Sequence, residues 1–332
     1  MKTKGGKFII FSILLLFILA AQGQSDKNSN YHPEPIPSLV NWFLSTGKWD
    51  TDPQIFVTEY GKGKDTVVML HGGWGAEHSG MISAVKGLDK KYCFIFYDQR
   101  GSLRSPFPDS LITFQTHVDD LERLRRELKL DRMTIVGHSM GAVLASAYAS
   151  TYPDRIKKLV LLAPAFLKQP FPEEDQQIKH QGYLKSMEFR NRPEVLWELE
   201  KYGLNRKSQP LSSKEMTAKS RIDFAGLMLY DVLKWNQLDN GKGLYKSEVY
   251  KLTESTYPEE GWNYYQVFGK SRYPIYVMVG SHDWLDFGGA ITKRWIKEVP
   301  RIQMTLIPNA GHLLWIDAPV KFQSALNSYL ND

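Results

Sequence analysis

The feature that most constrains this chain is one short turn, Val136-Gly137-His138-Ser139-Met140-Gly141. It follows an apolar run at 133–136 and opens a small-residue stretch at 142–152 that holds Ala142, Ala145, Ala147 and Ala149. The order is buried strand, Gly-x-Ser-x-Gly, helix. A serine at such a junction faces outward only if the backbone reverses sharply. The glycines on either side remove Cβ atoms that would collide with neighbouring segments. The helix that begins there aims free N–H groups at negative charge forming beside the serine. A glycine-rich turn with an incidental serine is the competing reading, so the turn needs partners elsewhere in the chain.

Around it the chain alternates. Short apolar runs at 55–57, 66–70, 92–97, 133–136 and 158–162 read as strands. Val118, Leu121, Leu124 and Leu128 recur at helical spacing, with charged residues between them. After Phe166 the rhythm changes. Residues 167–271 lack buried β-branched runs and read as helices and loops, with 176–202 and 214–235 as the helical stretches. The alternation resumes with a strand at 275–279, a helix at 290–299, a strand at 302–307 and a closing helix at 320–330. This implies an α/β fold with a mostly parallel sheet and helices on both faces. Sites in such sheets lie at the carboxyl ends of the strands. The chain's 332 residues, 42% of them hydrophobic, suit two domains or one large α/β unit with an insertion.

The first residues read as an address. Lys2, Lys4 and Lys7 precede an apolar run at 8–21, and Ala21-Gln22-Gly23 supplies small residues for cleavage. A secretory signal peptide over 1–23 implies export to the periplasm or the medium. The run is shorter than the roughly 18–20 apolar residues a membrane span needs, so no stable span is expected after cleavage. An uncleaved anchor is the alternative. Residues 25–37 read as a polar lead-in. Without those three lysines the net charge falls from +6 to near +3, and no run of five basic residues occurs. Nucleic acid is therefore not an expected partner. The single cysteine, Cys93, excludes an internal disulfide framework and a Cys-based zinc knuckle.

A serine hydroxyl becomes a nucleophile when a base takes its proton and a carboxylate orients that base. Among the eight histidines, His312 stands out in a loop, Asn309-Ala310-Gly311-His312, just after the last strand. His138 is fixed within the serine turn, and His282 adjoins the acid. Gly280-Ser281-His282-Asp283 leaves the strand at 275–279, which makes Asp283 the first choice for the acid and Asp286 the second. The chain order Ser139, Asp283, His312 differs from that of chymotrypsin- and subtilisin-type proteases. An oxyanion also needs two donors. His71-Gly72-Gly73-Trp74-Gly75 has three glycines in four positions, which lets main chain approach a ligand closely. The expected donors are the N–H groups of Met140 and Gly73, with Trp74 as the alternative to Gly73. His71 is expected to brace this turn. No Gly-Lys-Ser/Thr follows it, which weakens a phosphate-loop reading.

Taken together, these residues resemble the α/β-hydrolase family over 54–166 and 272–330. The resemblance implies a core in two parts, 24–166 and 272–332, with a helical cap inserted at 167–271. A narrower resemblance, to the prolyl aminopeptidase (proline iminopeptidase) group, rests on three stretches. They are His71-Gly72-Gly73-Trp74-Gly75, Tyr97-Asp98-Gln99-Arg100-Gly101-Ser102-Leu103-Arg104-Ser105, and His117-Val118-Asp119-Asp120-Leu121-Glu122-Arg123-Leu124-Arg125. This group implies an aminopeptidase that releases an N-terminal residue such as proline from a short peptide or small molecule. In it Asp98 and Arg100 brace the oxyanion turn, and a cap carboxylate, here Asp223, holds the substrate amine. Trp74, which stands where the group has proline, is expected beside Asp223 as a substrate contact. No metal or organic cofactor is implied. The rivals are a carboxylesterase for small esters and a non-catalytic binding protein of the same fold. Epoxide hydrolases and haloalkane dehalogenases are disfavoured, because they place a carboxylate where Ser139 stands.

Overall fold

The computed structural model describes residues 39–238 and 244–332. The expected leader at 1–23 and the lead-in at 25–37 lie outside the described residues.

Each apolar run that the sequence marks as a strand is one. In chain order the strands are β1 (Leu39–Ser45), β2 (Gln54–Tyr60), β3 (Asp65–Leu70), β4 (Tyr92–Tyr97), β5 (Met133–His138), β6 (Ile156–Leu162), β7 (Lys168–Gln169), β8 (Trp262–Asn263), β9 (Ile275–Gly280) and β10 (Gln303–Ile307). Eight of them form one sheet in the order β1-β2-β4-β3-β5-β6-β9-β10. The pairs β1/β2 and β2/β4 are antiparallel and the others parallel. All six residues of β5 and of β9 are buried, as befits strands covered on both faces. Strand β1 went unmarked in the sequence. It is an edge strand with alternating exposure, and Asn41 interrupts its apolar run.

The sheet separates two cores. Val68 and Leu70 of β3 face the cluster that includes Leu121, Leu124 and Leu144. Val67 and Met69, the alternate residues, face the one that includes Phe322 and Leu326. The helices that supply these residues are α1 (Phe114–Glu127), α2 (Met140–Thr151) and, at the end of the chain, Pro319–Asn331. Helix α1 starts at Thr113, whose hydroxyl accepts from the N–H of Thr116 in a reciprocal cap.

Between β6 and β9 lie α3 (Gln176–Arg190), α4 (Pro193–Lys201), α5 (Ser213–Met228), α6 (Ser247–Glu254) and α7 (Tyr264–Lys270), with β7 and β8 as a two-residue antiparallel ribbon. The single helix expected over 176–202 is two. Pro193 lacks an N–H and disfavours helix at Arg192, so it ends one helix and starts the next. The helix expected over 214–235 stops at Met228, where Leu229 turns extended. After β9 come α8 (Ala290–Trp295), β10 and α9 (Pro319–Asn331).

Candidate active site

Ser139 joins β5 to α2 with φ 53° and ψ −118°, a left-handed conformation that a side chain rarely adopts. Neighbouring backbone holds it there. Its N–H donates to the Leu162 carbonyl at 3.0 Å, and its own carbonyl accepts from Ala142 at 3.0 Å and Ala165 at 3.1 Å. The flanking glycines are forced by proximity. A Cβ on Gly137 would lie 2.4 Å from the Gly141 carbonyl oxygen, and one on Gly141 would lie 2.4 Å from that of Leu70.

His312 lies in the loop after β10. Its Nδ1 is 3.0 and 3.1 Å from the two carboxylate oxygens of Asp283, and both side chains are buried. An ionised carboxylate only accepts, so Nδ1 carries the proton and Nε2 is left as the basic nitrogen. Asp283 is steadied by the N–H of Leu285 at 3.0 Å. Asp286, the second choice, is engaged elsewhere. It holds the first turn of α8, accepting from Ile291 at 2.7 Å and Thr292 at 2.9 Å. Burial pushes its carboxyl above the usual range despite these bonds.

The serine and histidine turns meet through His138. Its Nε2 is 3.0 Å from the carbonyl oxygen of His312, and the two rings are 4.7 Å apart. Burial, then the neighbouring His312, holds His138 well below the ordinary histidine value, so it is a neutral ring that donates from Nε2. No hydrogen bond joins the Ser139 hydroxyl to Nε2 of His312 among the described residues.

The glycine turn passes directly beside the serine, since a Cβ on Gly72 would lie 2.7 Å from that of Ser139. Gly73 and Gly75 have φ of +69° and +85°, values that glycine adopts without strain. Met140 is the first residue of α2, where the N–H has no intrahelical partner. His71 does brace the turn: its Nε2 accepts from the N–H of Gln99 at 3.1 Å, and the Gln99 amide donates to its carbonyl at 2.9 Å. Burial lowers its pKa and keeps it neutral. Asp98 binds His78 at 2.7 Å and Arg104 at 2.8 Å. Burial alone would raise the Asp98 carboxyl, but these bonds outweigh it and hold the group far below the usual range. Arg100 makes a two-pronged pair with Asp120, both contacts at 2.6 Å. Both residues brace the fold through His78, Arg104 and Asp120 rather than through bonds to the turn at 71–75 itself.

One expected substrate contact, the Trp74 side chain, needs correction. Trp74 has no exposed surface; it is packed into the core beneath the turn and offers nothing to a ligand. Asp223 is on an exposed face of α5, paired with Lys219 at 2.9 Å one helical turn away.

Asp317 was not singled out in the sequence. This buried carboxylate accepts from the N–H groups of Gly311 and Tyr230, both at 2.8 Å, and of Asp231 at 3.1 Å. It ties the His312 loop to the end of α5, and the N–H of His312 adds a bond to the Met228 carbonyl at 2.8 Å. Burial raises its carboxyl above the usual range despite the three donors. No spacing signal precedes it, because its partners are backbone groups and two of them, at Tyr230 and Asp231, lie 87 and 86 positions earlier.

Among the described residues, no group of three or more His, Cys, Asp or Glu could hold a metal ion, and no helix is long and apolar enough to cross a membrane.

A family model described as alpha/beta hydrolase fold matches residues 65–319. The chain is 25% identical over 289 residues to abhydrolase domain-containing protein abhd-5.2 of Caenorhabditis elegans, covering 82% of this chain and 60% of that protein. It is 24% identical over 318 residues to a 1-acylglycerol-3-phosphate O-acyltransferase of Arabidopsis thaliana, covering 88% and 72%. A proline iminopeptidase of Heyndrickxia coagulans is 36% identical over 116 residues, 34% of this chain and 40% of that one. The chain thus spans less than two thirds of two of these relatives. Among solved structures, a proline iminopeptidase-related protein of Thermus thermophilus superposes with a TM-score of 0.63 at 22% identity, covering 88% of this chain and 97% of that one. Naproxen esterase of Bacillus subtilis gives 0.59 at 18%, covering 88% and 91%. At these identities the structural likeness speaks for the fold.

Proposed function

Because the chain belongs to the α/β-hydrolase family, we propose that it is a serine hydrolase that works through an acyl-enzyme on Ser139. The observation that carries the reading is the buried His312–Asp283 pair, which leaves Nε2 basic in a loop bonded to the residue beside a strained serine. In the proposed cycle the Ser139 hydroxyl attacks a carbonyl carbon and Nε2 of His312 takes its proton. Asp283 orients the ring and stabilises the imidazolium. The N–H groups of Gly73 and Met140 donate to the oxyanion, each worth about 10²–10³ in rate. His312 then protonates the leaving group, and water releases the acyl group by the same steps in reverse.

For the substrate we propose, from the resemblance and the iminopeptidase relative, an N-terminal residue such as proline cleaved from a short peptide. The second reading, a carboxylesterase for small esters, is favoured by one observation: Asp223, the expected amine-holding acid, is already paired with Lys219. Proline and alanine arylamides assayed beside a short-chain aryl ester separate the two. Ester turnover without arylamide cleavage would sink the peptidase reading. A fluorophosphonate probe tests the serine itself: labelling is expected for the wild type and not for Ser139→Ala, and an unlabelled, folded wild type would overturn the enzyme reading in favour of a binding protein. We further propose that residues 1–23 direct export, which Lys2, Lys4, Lys7 and the apolar run at 8–21 support. Sequencing the amino terminus of the processed protein checks this; a mature chain that keeps Met1 refutes cleavage.

A further inference from the structure

The turn at 71–75 has three glycines and therefore little backbone preference of its own. Apart from braced His71, its one side chain is Trp74, and that side chain is anchored outside the turn's own neighbourhood. The indole Nε1–H donates to the Tyr257 hydroxyl at 2.6 Å. The indole ring stacks on His117 with centroids 4.7 Å apart and meets the edge of Phe114 at 6.1 Å. Tyr257 in turn packs edge-on against Phe114 and Trp262, at 5.2 and 5.0 Å.

Three further bonds join the same stretch of the inserted segment to the turn and its support. Thr253 Oγ1 is 3.1 Å from Nε2 of His117. Thr256 Oγ1 accepts from the N–H of Phe114 at 2.8 Å. The N–H of Lys246 donates to the Gly75 carbonyl at 2.9 Å. A Cβ on Gly75 would lie 2.1 Å from the Lys246 carbonyl oxygen, so the two backbones are in contact.

We propose that Tyr257, acting through Trp74, is a positioning residue for the oxyanion donor at Gly73, so that residues 246–262 are a fixed buttress of the glycine turn. This rests on the reading of 71–75 as the oxyanion turn. The physical reason is that a buried N–H with one acceptor fixes the orientation of its ring. Loss of that acceptor leaves a desolvated donor that draws the turn toward another partner. A donor misplaced by about 1 Å costs up to roughly 10²-fold in rate, because it must meet the oxyanion at hydrogen-bond distance.

The test uses the whole protein. Tyr257→Phe and Trp74→Phe each keep a ring in place and remove one end of the bond. Readouts are kcat and KM on a short-chain aryl ester, inhibition by phenylboronic acid, which forms a tetrahedral adduct on the serine, and the melting temperature. Each variant is expected to lose about tenfold in kcat and a similar factor in boronate affinity, with KM within about twofold. The double variant should be no worse than Trp74→Phe alone, because that substitution already removes the bond to Tyr257. A Tyr257→Phe protein that folds and keeps wild-type kcat and boronate affinity would overturn the inference, as would additive losses in the double variant. A wild type that neither labels with fluorophosphonate nor turns over would instead remove the serine-hydrolase reading, and this one with it.

Discussion

Two aspartates three residues apart have different duties, and only their hydrogen bonds tell them apart. Asp283 faces Nδ1 of His312, whereas Asp286 closes the first turn of α8. In sequence they were ranked but not separated, since both follow β9 in a loop. Asp283→Asn is expected to lower kcat by up to about 10⁴-fold with little change in melting temperature, because the amide favours the wrong histidine tautomer. Asp286→Asn should do the reverse, lowering the melting temperature while kcat stays within a few-fold. Parallel melts and turnover assays of the two variants check both; a large kcat loss confined to Asp286→Asn would exchange their roles. Trp74 and Asp223 show the other side of the matter. A residue type suited to ligand contact says nothing of where its side chain goes, and here one is sealed in the core and the other is paired with a lysine on a surface.

At the scale of elements, the strand–turn–helix unit of β5 and α2 was legible because each of its parts leaves a local mark. The strand is apolar, the turn needs glycines and the helix is rich in alanine. The marks have a steric cause. Gly141→Ala would drive a methyl group to 2.4 Å from the Leu70 carbonyl oxygen and 2.6 Å from that of His71, both backbone atoms. This substitution is expected to abolish soluble expression or to lower the melting temperature by about five degrees or more, on the order of 3 kcal/mol or more for backbone overlap. Circular dichroism melts read it; a stable Gly141→Ala protein would mean that α2 can slide away from β3. Helix ends in the inserted segment were less legible. The break at Pro193 is marked in the sequence, but the stop at Met228 is not, because its carbonyl is held by the N–H of His312, 84 positions onward. Edge strand β1 left too weak a pattern to read, since its partner is on one side only.

At the scale of the whole molecule, burial has left His71, His117 and His138 neutral, with pKa values below the ordinary 6.5. Unfolding releases them to bind protons at a higher pH than the folded state allows. Their contribution to stability is therefore complete above about pH 6.5 and declines as the pH falls from there toward the lower folded values. Asp120, Asp286 and Asp317, raised by burial, act in the opposite sense, losing their contribution as the pH rises through their folded values. The melting temperature is expected to fall between pH 6.5 and 5, and to fall less in His117→Gln. Calorimetry across that range checks it, and a flat profile would mean these rings are hydrated. The sequence by itself marked the strands from β2 to β6, β9 and β10, the strand–serine–helix turn and the loop that carries His312, because periodicity, glycine and chain order are local properties. Only the tertiary structure decided which carboxylate meets His312, that Trp74 is an anchor, and that Asp317 clamps the histidine loop. Those outcomes depend on which groups distant in sequence come within about 3 Å of one another, a relation that no stretch of neighbouring residues encodes.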